Sequence, residues 1–386
     1  MGARLSILPG LALSACLGAQ VVPAGAAIIR VPDDLSTVQG AIDAANHGDR
    51  VEVAAGTYEE RIDFLGKEIQ VVGAGPDRSI LDASTWPSID RGGVVRFVNG
   101  EGPASELRGF LIRGGNADHG GGIAFYDSSP SVIECMIRDN SVSGGPFDGR
   151  GGGLSCEEYS NPALTRCKVM GNWAQVQGGG MNCSSSAPTL RNCMIISNSA
   201  DGTGGGLCCE ASSPTLTNCL ITKNRSGISI FDDGGGIYCW YSSPILTNCT
   251  ITKNVTTGLF GGGLYVGWGS SPELTNCILW GDSPDELYVD PWSDSSHPKL
   301  QYCNVEHGWS DDGEGVIDSD PNFRWFRGLR YVLGSESPSI DSGTGDDDSI
   351  PWSEIDEAYG IVNSPAPDMG IYGGPGAEGW VPDDFE

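Results

Sequence analysis

"GGGIYCWYSSPILTNCTITKN" occupies positions 234–254, and 30 residues earlier positions 204–224 read "GGGLCCEASSPTLTNCLITKN". A chain that repeats itself over this length builds one supersecondary unit several times, because one unit cannot bury its apolar face alone. The glycine triplets begin at Gly120, Gly151, Gly178, Gly204, Gly234 and Gly261, at spacings of 31, 27, 26, 30 and 27 residues. Eight or nine residues past each triplet stands a proline: Pro130, Pro162, Pro188, Pro214, Pro244 and Pro272. Five residues past each proline stands a cysteine: Cys135, Cys167, Cys193, Cys219, Cys249 and Cys277. That second interval never varies, and the segment from cysteine to the next triplet carries most of the change in length. The unit has a fixed wall and a variable loop.

Within "PILTNCTITKN" at 244–254, Leu246, Cys249 and Ile251 are the small or apolar positions, and Thr247, Thr250 and Thr252 point the other way. Asn248 sits where the alternation slips by one, as at a tight corner, and Asn tolerates the left-handed conformation. The segment is therefore strand, corner, strand. "GGGIYC" adds a third short strand with Ile237 and Cys239 on one face, and its glycines permit positive φ and a sharp reversal. Three short strands joined by corners wind one coil, and like residues stack coil on coil at about 4.8 Å. The period predicts an all-β fold, a right-handed parallel β-helix solenoid. A β-propeller needs blades of about 40–45 residues, too long for this spacing.

Stacking turns the cysteines into two columns. One runs from Cys135 to Cys277 and extends to Cys303; the other comprises Cys156, Cys183, Cys209 and Cys239. Both face inward on this alternation, as small apolar fillers. Stacked neighbours also fall within disulfide range, so reduced thiols and vertical disulfides both remain open. Metal ligation is disfavoured in a packed interior without a Cys-x-x-Cys motif.

With 386 residues, 58 of them Gly and 19% charged, the chain is neither a coiled coil nor a charged disordered tail. Its net charge of −28 disfavours nucleic acid and anionic membranes as partners, and suits solubility and divalent cations such as Ca²⁺. Residues 1–27 resemble an export signal peptide: Arg4, then "LSILPGLALSACLGA", then small residues. Cleavage near Ala24-Gly25-Ala26 would leave a secreted, extracellular protein. Leu13-Ser14-Ala15-Cys16 also resembles a bacterial lipobox, which would anchor Cys16 at the cell surface. No other segment approaches the roughly 20 apolar residues of a membrane span.

A solenoid needs closed ends. Ser36 to Asn46 reads as the one convincing helix, with Ser36-Thr37-Val38-Gln39 as a capping box, Ala41, Ile42 and Ala45 on one apolar face, and Gly48 to end it. It suits a lid over the first coil. The segment from Asp311 breaks the period and is rich in Asp, Gly, Pro and Trp, as expected of a closure over the last coils. The expected division is a signal peptide at 1–27, a β-helix at 28–310 and a C-terminal closure at 311–386, with the protein a monomer.

"IRVPDDLSTVQGAIDAANHGDRVEVAAGTYEERIDFLGKEIQVVGAG" closely resembles the N-terminal portion of bacterial right-handed β-helix proteins of the pectin-lyase-like superfamily. "GGGIYC…SSPILTNCTITKN" resembles their repeats, and "DPNFRWF…SESPSIDSG…APDMGIYGG" their C-terminal closure. The resemblance runs from about Ile28 to Gly374. It implies the fold; for function it spans polysaccharide lyases, glycoside hydrolases, surface adhesins and proteins of no known activity.

Chemistry must then lie where the repeat is broken. At the corner after each Gly-Gly-Gly strand stand Tyr126-Asp127, Glu157-Glu158-Tyr159, Ser184-Ser185, Glu210, Trp240-Tyr241 and Trp268. Trp240, Tyr241 and Trp268 in a line suit sugar-ring stacking. Asp127, Glu158 and Glu210 would lie one or two coils apart, near the carboxyl separations that glycosidases use; solvated corner carboxylates are the plainer reading. Two long loops, at 140–150 and 225–233, carry Asp148 and Asp232 behind phenylalanines, and with Asp118, His119, Arg150, Asp201 and Asp233 they could line a cleft. Loops that merely close each turn are the plainer reading there.

In lyases of the resembled superfamily, Ca²⁺ on carboxylates neutralises a uronate and a base takes the proton. Here Arg150 and His119 are the only bases, so a uronate lyase is disfavoured. Gly281-Asp282-Ser283 matches an esterase tripeptide by coincidence. Cys208 faces outward as a free thiol. "GDDDS" at 345–349, with Asp341, Asp356 and Asp368, is either a Ca²⁺ site or a flexible acidic loop.

Two functions remain. One is a non-catalytic structural, adhesive or glycan-binding solenoid, favoured because the wall repeats are nearly uniform. The other is a polysaccharide-active enzyme, a hydrolase rather than a lyase, using the carboxylates above.

Overall fold

The computed structural model describes residues 25–145, 148–230, 232–293, 295–311, 313–326, 329–333, 336–340, 342–343 and 369–370. The coil that contains the opening stretch shows how the chain winds. Its strands are Ile237–Trp240, Ile245–Thr247, Thr250–Thr252 and Val255–Thr256. The periodicity predicts three strands per coil; the structure has four. Four residues take positive φ and turn the corners between them: Gly234 (72°), Tyr241 (49°), Asn248 (52°) and Lys253 (57°). The fourth strand is two residues long, too short for alternation to reveal.

Stacked coils form four parallel sheets. Among the described residues the faces that follow the glycine triplet, the proline, the cysteine and the fourth corner hold 9, 12, 10 and 7 strands. We number these faces one to four. Register is strict: Cys209 pairs Cys239, Leu216 pairs Leu246, Ile221 pairs Ile251 and Ser226 pairs Thr256. This register bears out the stacking of the proline-to-cysteine segments. The interior is a stack of like residues, with Ile237, Cys239, Leu246, Cys249 and Ile251 all buried.

Both cysteine columns point inward as expected, and the first reaches Cys303. The described cysteines are free thiols. Each of the first column donates to backbone carbonyls, as Cys219 Sγ does to Leu190 O at 3.6 Å and Thr217 O at 3.4 Å. Burial raises the thiols of Cys135, Cys167 and Cys249 and keeps them protonated.

Two polar ladders line the corners. Between faces one and two, each backbone N–H of the serine column donates to the next hydroxyl: Ser186 N to Ser212 Oγ at 3.0 Å, Ser212 N to Ser242 Oγ at 2.9 Å. The "SSP" of the repeat supplies this column. At the end of face three, Asn140, Asn172, Asn198, Asn224 and Asn254 lie buried in line, each five residues past a first-column cysteine. Each amide donates both to the next side-chain oxygen of the ladder and to a carbonyl of the coil before, as Asn198 Nδ2 does to Asn224 Oδ1 (3.0 Å) and Val169 O (2.9 Å).

The N-terminal helix is shorter than its apolar pattern predicts, Val38–Ala44, and Thr37 rather than Ser36 is its N-cap. Thr37 Oγ1 accepts from Gly40 N at 3.1 Å. The expected capping box does not form. Glu60 instead accepts from Val38 N (3.0 Å) and Gln39 N (2.9 Å), placing a carboxylate at the positive end of the helix. Val38, Ala41 and Ile42 are buried over the first coil. The helix stops at Ala45, three residues before Gly48.

The C-terminal segment lies on the side of the solenoid as well as on its last coil, where Ser339 Oγ accepts from Asn304 Nδ2 at 2.8 Å. Its antiparallel hairpin, Phe323–Phe326 with Leu329–Leu333, lies along the outside of face three. There Tyr331 packs with Met194, Ile196 and Leu220, and Met170 and Phe323 border the cluster. Tyr331 Oη lies 2.9 Å from Thr222 Oγ1. Gly370 N bonds Asn276 O at 2.7 Å and closes over Thr250. Thr250 and Thr252, which do point outward, are therefore buried. No helix among the described residues is long and apolar enough to cross a membrane.

Candidate functional site

Charged and aromatic side chains gather on the outer side of face one. Along each of its strands, residues alternate between core and exterior, so the outer side shows two columns. Ala124, Ser155, Asn182, Cys208, Tyr238 and Tyr265 form one; Tyr126, Glu157, Ser184, Glu210 and Trp240 form the other. A third column runs beside them. It holds the residues just before the glycine triplets, where His119, Arg150, Gln177 and Thr203 pair in parallel and Arg91 pairs His119. The first glycine of each triplet, such as Gly120 at φ 61° and Gly234 at φ 72°, folds that column back over face one. A Cβ at Gly234 would sit 2.7 Å from Tyr238 Cβ, so the fold needs glycine there.

In the upper coils this arrangement gathers charge. His119 Nδ1 lies 2.6 Å from Glu157 Oε1, and Ser155 Oγ donates to the same oxygen at 2.7 Å. Arg91 is 3.9 Å from Glu157 Oε2, with its guanidinium 4.1 Å over the Tyr126 ring. Asp148 Oδ1 is 3.5 Å from His119 Nε2, and Arg150 pairs with Glu210 at 3.1 Å. The hydrogen bond that His119 donates to Glu157, against the pull of burial, raises the His119 pKa. Burial works to raise Glu157, but His119, Ser155 and Arg91 outweigh it and hold the carboxyl below its ordinary value. Both directions favour the imidazolium–carboxylate form of the pair. Close by, Asn182 is wholly buried, and neither polar atom of its side chain has a protein partner.

In the lower coils the outer columns become aromatic. Tyr238, Tyr265 and Tyr288 stack at 4.9 and 5.7 Å, with Phe260 on Tyr288 at 4.0 Å. Their faces cover one another. Trp240 packs 5.2 Å from Trp268 and edge-on to Tyr241 at 5.9 Å. The open rings lie at the corner: Tyr241 is 58% exposed, Trp268 43%, and Trp292 of the next turn 85%.

The expected site residues divide. Asp148, His119, Arg150 and Glu210 come together on face one. Asp127 and Glu158 are exposed corner residues with φ of 47° and 52°, on a different column. Glu210 is not a corner residue: it ends a strand, and Ala211 (φ 49°) turns the corner. The expected alignment of Glu158 with Glu210 is thus off by one position, since the strands run one residue longer than the alternation suggests. Trp240 likewise ends a strand, and Tyr241 and Trp268 hold the corner. Asp232 caps its own loop, accepting from Ser229 N at 2.7 Å and Ile228 N at 3.2 Å. Asp201 accepts from Trp173 Nε1 at 3.0 Å. Asp233 accepts from Phe260 N at 3.0 Å, and burial pushes it up to about 6.

Cys208 does point outward but is fully buried, and burial pushes its thiol up to about 12; it is not a reactive surface thiol. Ser155, Arg91 and Trp292 were passed over in the sequence, and Glu157 was placed at the corner but not chosen. Glu157 adjoins the chosen Glu158, and only the strand length separates them. For Ca²⁺, no group of three or more His, Cys, Asp or Glu among the described residues is set to hold a metal ion. Asp341, Asp356, Asp368 and the acidic stretch at 345–349 lie outside the described residues, as do Phe147, Phe231 and Cys16.

Known proteins agree on architecture. The family described as "Right handed beta helix region" matches residues 106–238. Pectate lyase Pel9A superposes with a TM-score of 0.54 at 14% identity, over 91% of this chain and 98% of its own. An alginate lyase from Paenibacillus sp. str. FPU-7 gives 0.45 at 12% identity, over 76% and 99%. A pectin methylesterase from carrot gives 0.42 at 14%, over 78% and 91%. At 14% identity the likeness to Pel9A is one of fold. No curated protein matches the chain in sequence. With its coil period, parallel register and triplet-proline-cysteine wall, the chain is a right-handed parallel β-helix repeat protein of the pectin-lyase-like fold.

Proposed function

We propose that this protein binds polysaccharide along the outer side of face one, with the exposed corner rings as its platform. The observation that carries this reading is the pair of open corner rings Tyr241 and Trp268 on successive turns, both packed against Trp240, with Trp292 exposed on the turn that follows. Coils repeat at about 4.8 Å, a step of the same order as one pyranose unit in an extended chain. Exposed aromatic rings grouped in one place mark a contact surface more often than chance does. Ring stacking needs no charge, which suits a chain of net charge −28. The pectate lyase that shares the fold is compatible with a sugar polymer as ligand, but the choice rests on the rings.

A specific observation favours a second reading, polysaccharide hydrolysis. His119, Glu157 and Asp148 form a connected acid–base group on the same face. From Glu157, Ser184 and Glu210 lead down the column to Trp240, three coils or about 14 Å away. A glycan seated on the rings reaches this group.

The test is affinity electrophoresis of the full chain over a panel of polysaccharides, with the Tyr241→Ala, Trp268→Ala double variant beside it. Both rings are open, so the variant folds. Two ring contacts of about 1 kcal/mol each correspond to roughly a 30-fold loss of affinity. Retention unchanged in the variant removes the platform. Reducing ends released by the wild type and not by Glu157→Gln establish the second reading.

A further inference from the structure

The asparagine ladder ends in a different residue. Where five coils carry Asn140, Asn172, Asn198, Asn224 and Asn254, the sixth carries Asp282. Its Oδ1 accepts from Asn254 N at 2.6 Å and from Asn254 Nδ2 at 2.9 Å, as an asparagine oxygen would. An asparagine would then offer its amide onward. Asp282 offers a second oxygen, and that oxygen meets other acids.

Glu286 Oε1 accepts from Asp282 N at 3.0 Å, and Glu306 Oε2 accepts from Gly281 N at 2.8 Å. Asp282 is 9% exposed and Glu286 4%. Asp282 Oδ2 and Glu286 Oε2 have no other hydrogen-bond partner. Gly263 walls the space: a Cβ there would lie 2.6 Å from Asp282 Oδ2. The groups that face the two acids are Asn254 from the coil before and Glu306 from the coil after, with no arginine or lysine among them. No set of three here is placed to hold a metal ion.

Two ionised carboxylates buried together without a cation repel, and each leaves an oxygen unsatisfied. One proton held between Asp282 Oδ2 and Glu286 Oε2 removes both costs. We propose that Asp282 and Glu286 share a proton, and that this pair is a pH-dependent latch tying the last coils to the asparagine ladder. The coil it secures is the one that bears Tyr288 and Trp292. Burial raises both carboxyls, Asp282 up to about 7 and Glu286 up to about 10, and for Glu286 the nearby Asp282 adds to the effect.

The sign follows from these directions. Both folded-state values stand above those of free carboxyls, about 4. The folded chain then keeps protons that the unfolded chain has released, so stability falls as pH rises from about 4 through 7 and toward 10. The latch is shut in acid and opens in alkali.

The experiment compares melting temperatures of the full-length wild type with those of Asp282→Asn and Glu286→Gln, from about pH 6 to about pH 9. Asp282→Asn restores the ladder's usual residue, whose amide donates to the Glu286 carboxylate without any extra proton. It is expected to melt several degrees above the wild type at the alkaline end, and to lose less on going there. The general repulsion of an acidic chain is shared by all three proteins and cancels in the comparison. An infrared band of a buried protonated carboxyl is expected in the wild type at neutral pH and absent from both variants, so a variant of altered stability still reports on the proton. Parallel melting curves in wild type and Asp282→Asn, or an unchanged carboxyl band in both variants, would overturn the latch. So would a Ca²⁺ stabilisation of the wild type that Asp282→Asn abolishes, since a cation would then fill the proton's role.

Discussion

The amide of Asn198 ties three coils with one side chain. Its nitrogen bonds Val169 O and Asn224 Oδ1, and its oxygen accepts from the Asn172 backbone N–H (3.0 Å) and amide (2.9 Å). Asn198→Ala leaves buried donors and acceptors on both neighbours, and each such group costs about 1–3 kcal/mol. A loss of roughly 3 kcal/mol or more is expected in urea titration, where the surface mutation Glu158→Gln changes little. The cysteines give a contrasting test. Cys219→Val swaps one small apolar filler for another and is expected to cost about 1 kcal/mol. Cys219→Asp buries an unpaired charge and is expected to unfold the coil. Equal mild effects would place that column outside the core. The cysteine column was legible because it keeps a fixed distance from proline and alternates with leucine and isoleucine. The asparagine ladder was not, because Asn near glycine reads as a turn residue, and nothing in one sequence separates a left-handed corner Asn such as Asn248 from a ladder rung such as Asn254. Only the substitution of Asp at 282 hinted that the position mattered, and there the tripeptide pointed to unrelated chemistry.

At the scale of the element, one residue decides which carboxylate faces the charged group. The strand Leu154–Glu157 turns at Glu158, so Glu157 looks into the charged group and Glu158 looks away into solvent. Alternation gives the direction of each side chain but not the residue at which a strand stops, since a left-handed corner shifts the phase by one. The fourth strand escaped for a related reason: two residues carry no period. Exposed Tyr241 and Trp268 were legible, because a large aromatic at a corner position has nowhere else to go. The His119–Glu157 pair makes a titration prediction. Below about pH 6.5 the protonated imidazole gains the Glu157 carboxylate as partner, and that stabilisation is lost as pH rises through the raised folded-state value. The NMR midpoint of His119 is expected above the ordinary imidazole value of about 6.5 in the wild type. In Glu157→Gln it should drop back toward that ordinary value, because the carboxylate that favours the charged imidazole is gone. A midpoint that does not move would show that the carboxylate is not what holds the proton.

The whole molecule is a stack in which each coil touches only its neighbours, so its weak points are its ends and any apolar outer surface. The first end is covered by the helix Val38–Ala44, whose N-terminus Glu60 holds and whose last carbonyls Lys67 Nζ bonds, at Ile42 O (2.7 Å) and Asp43 O (2.8 Å). The outer apolar surface is on face three. There Met194, Ile196 and Leu220 break the outward polar pattern that Thr250 and Thr252 continue, and Tyr331 of the hairpin covers them. Lys253 Nζ adds a contact 5.5 Å from the same ring. A closure that sealed only the final coil would leave this stripe wet. The hairpin therefore serves the side of the solenoid as much as its end. Removing residues 321–386 is expected to leave the coils wound, with unchanged far-ultraviolet dichroism, but to bare the stripe. The truncated protein should bind an apolar dye and self-associate in sedimentation velocity, because an uncovered apolar patch beside parallel strands invites a second copy. Adding Met194→Lys and Leu220→Lys to the truncation should restore the monomer. Both residues lie on the outside of face three, where a lysine can reach water once the hairpin is gone. A truncated chain that stays monomeric without the lysines would mean that the stripe needs no cover, and that the hairpin is held there for some purpose other than burial.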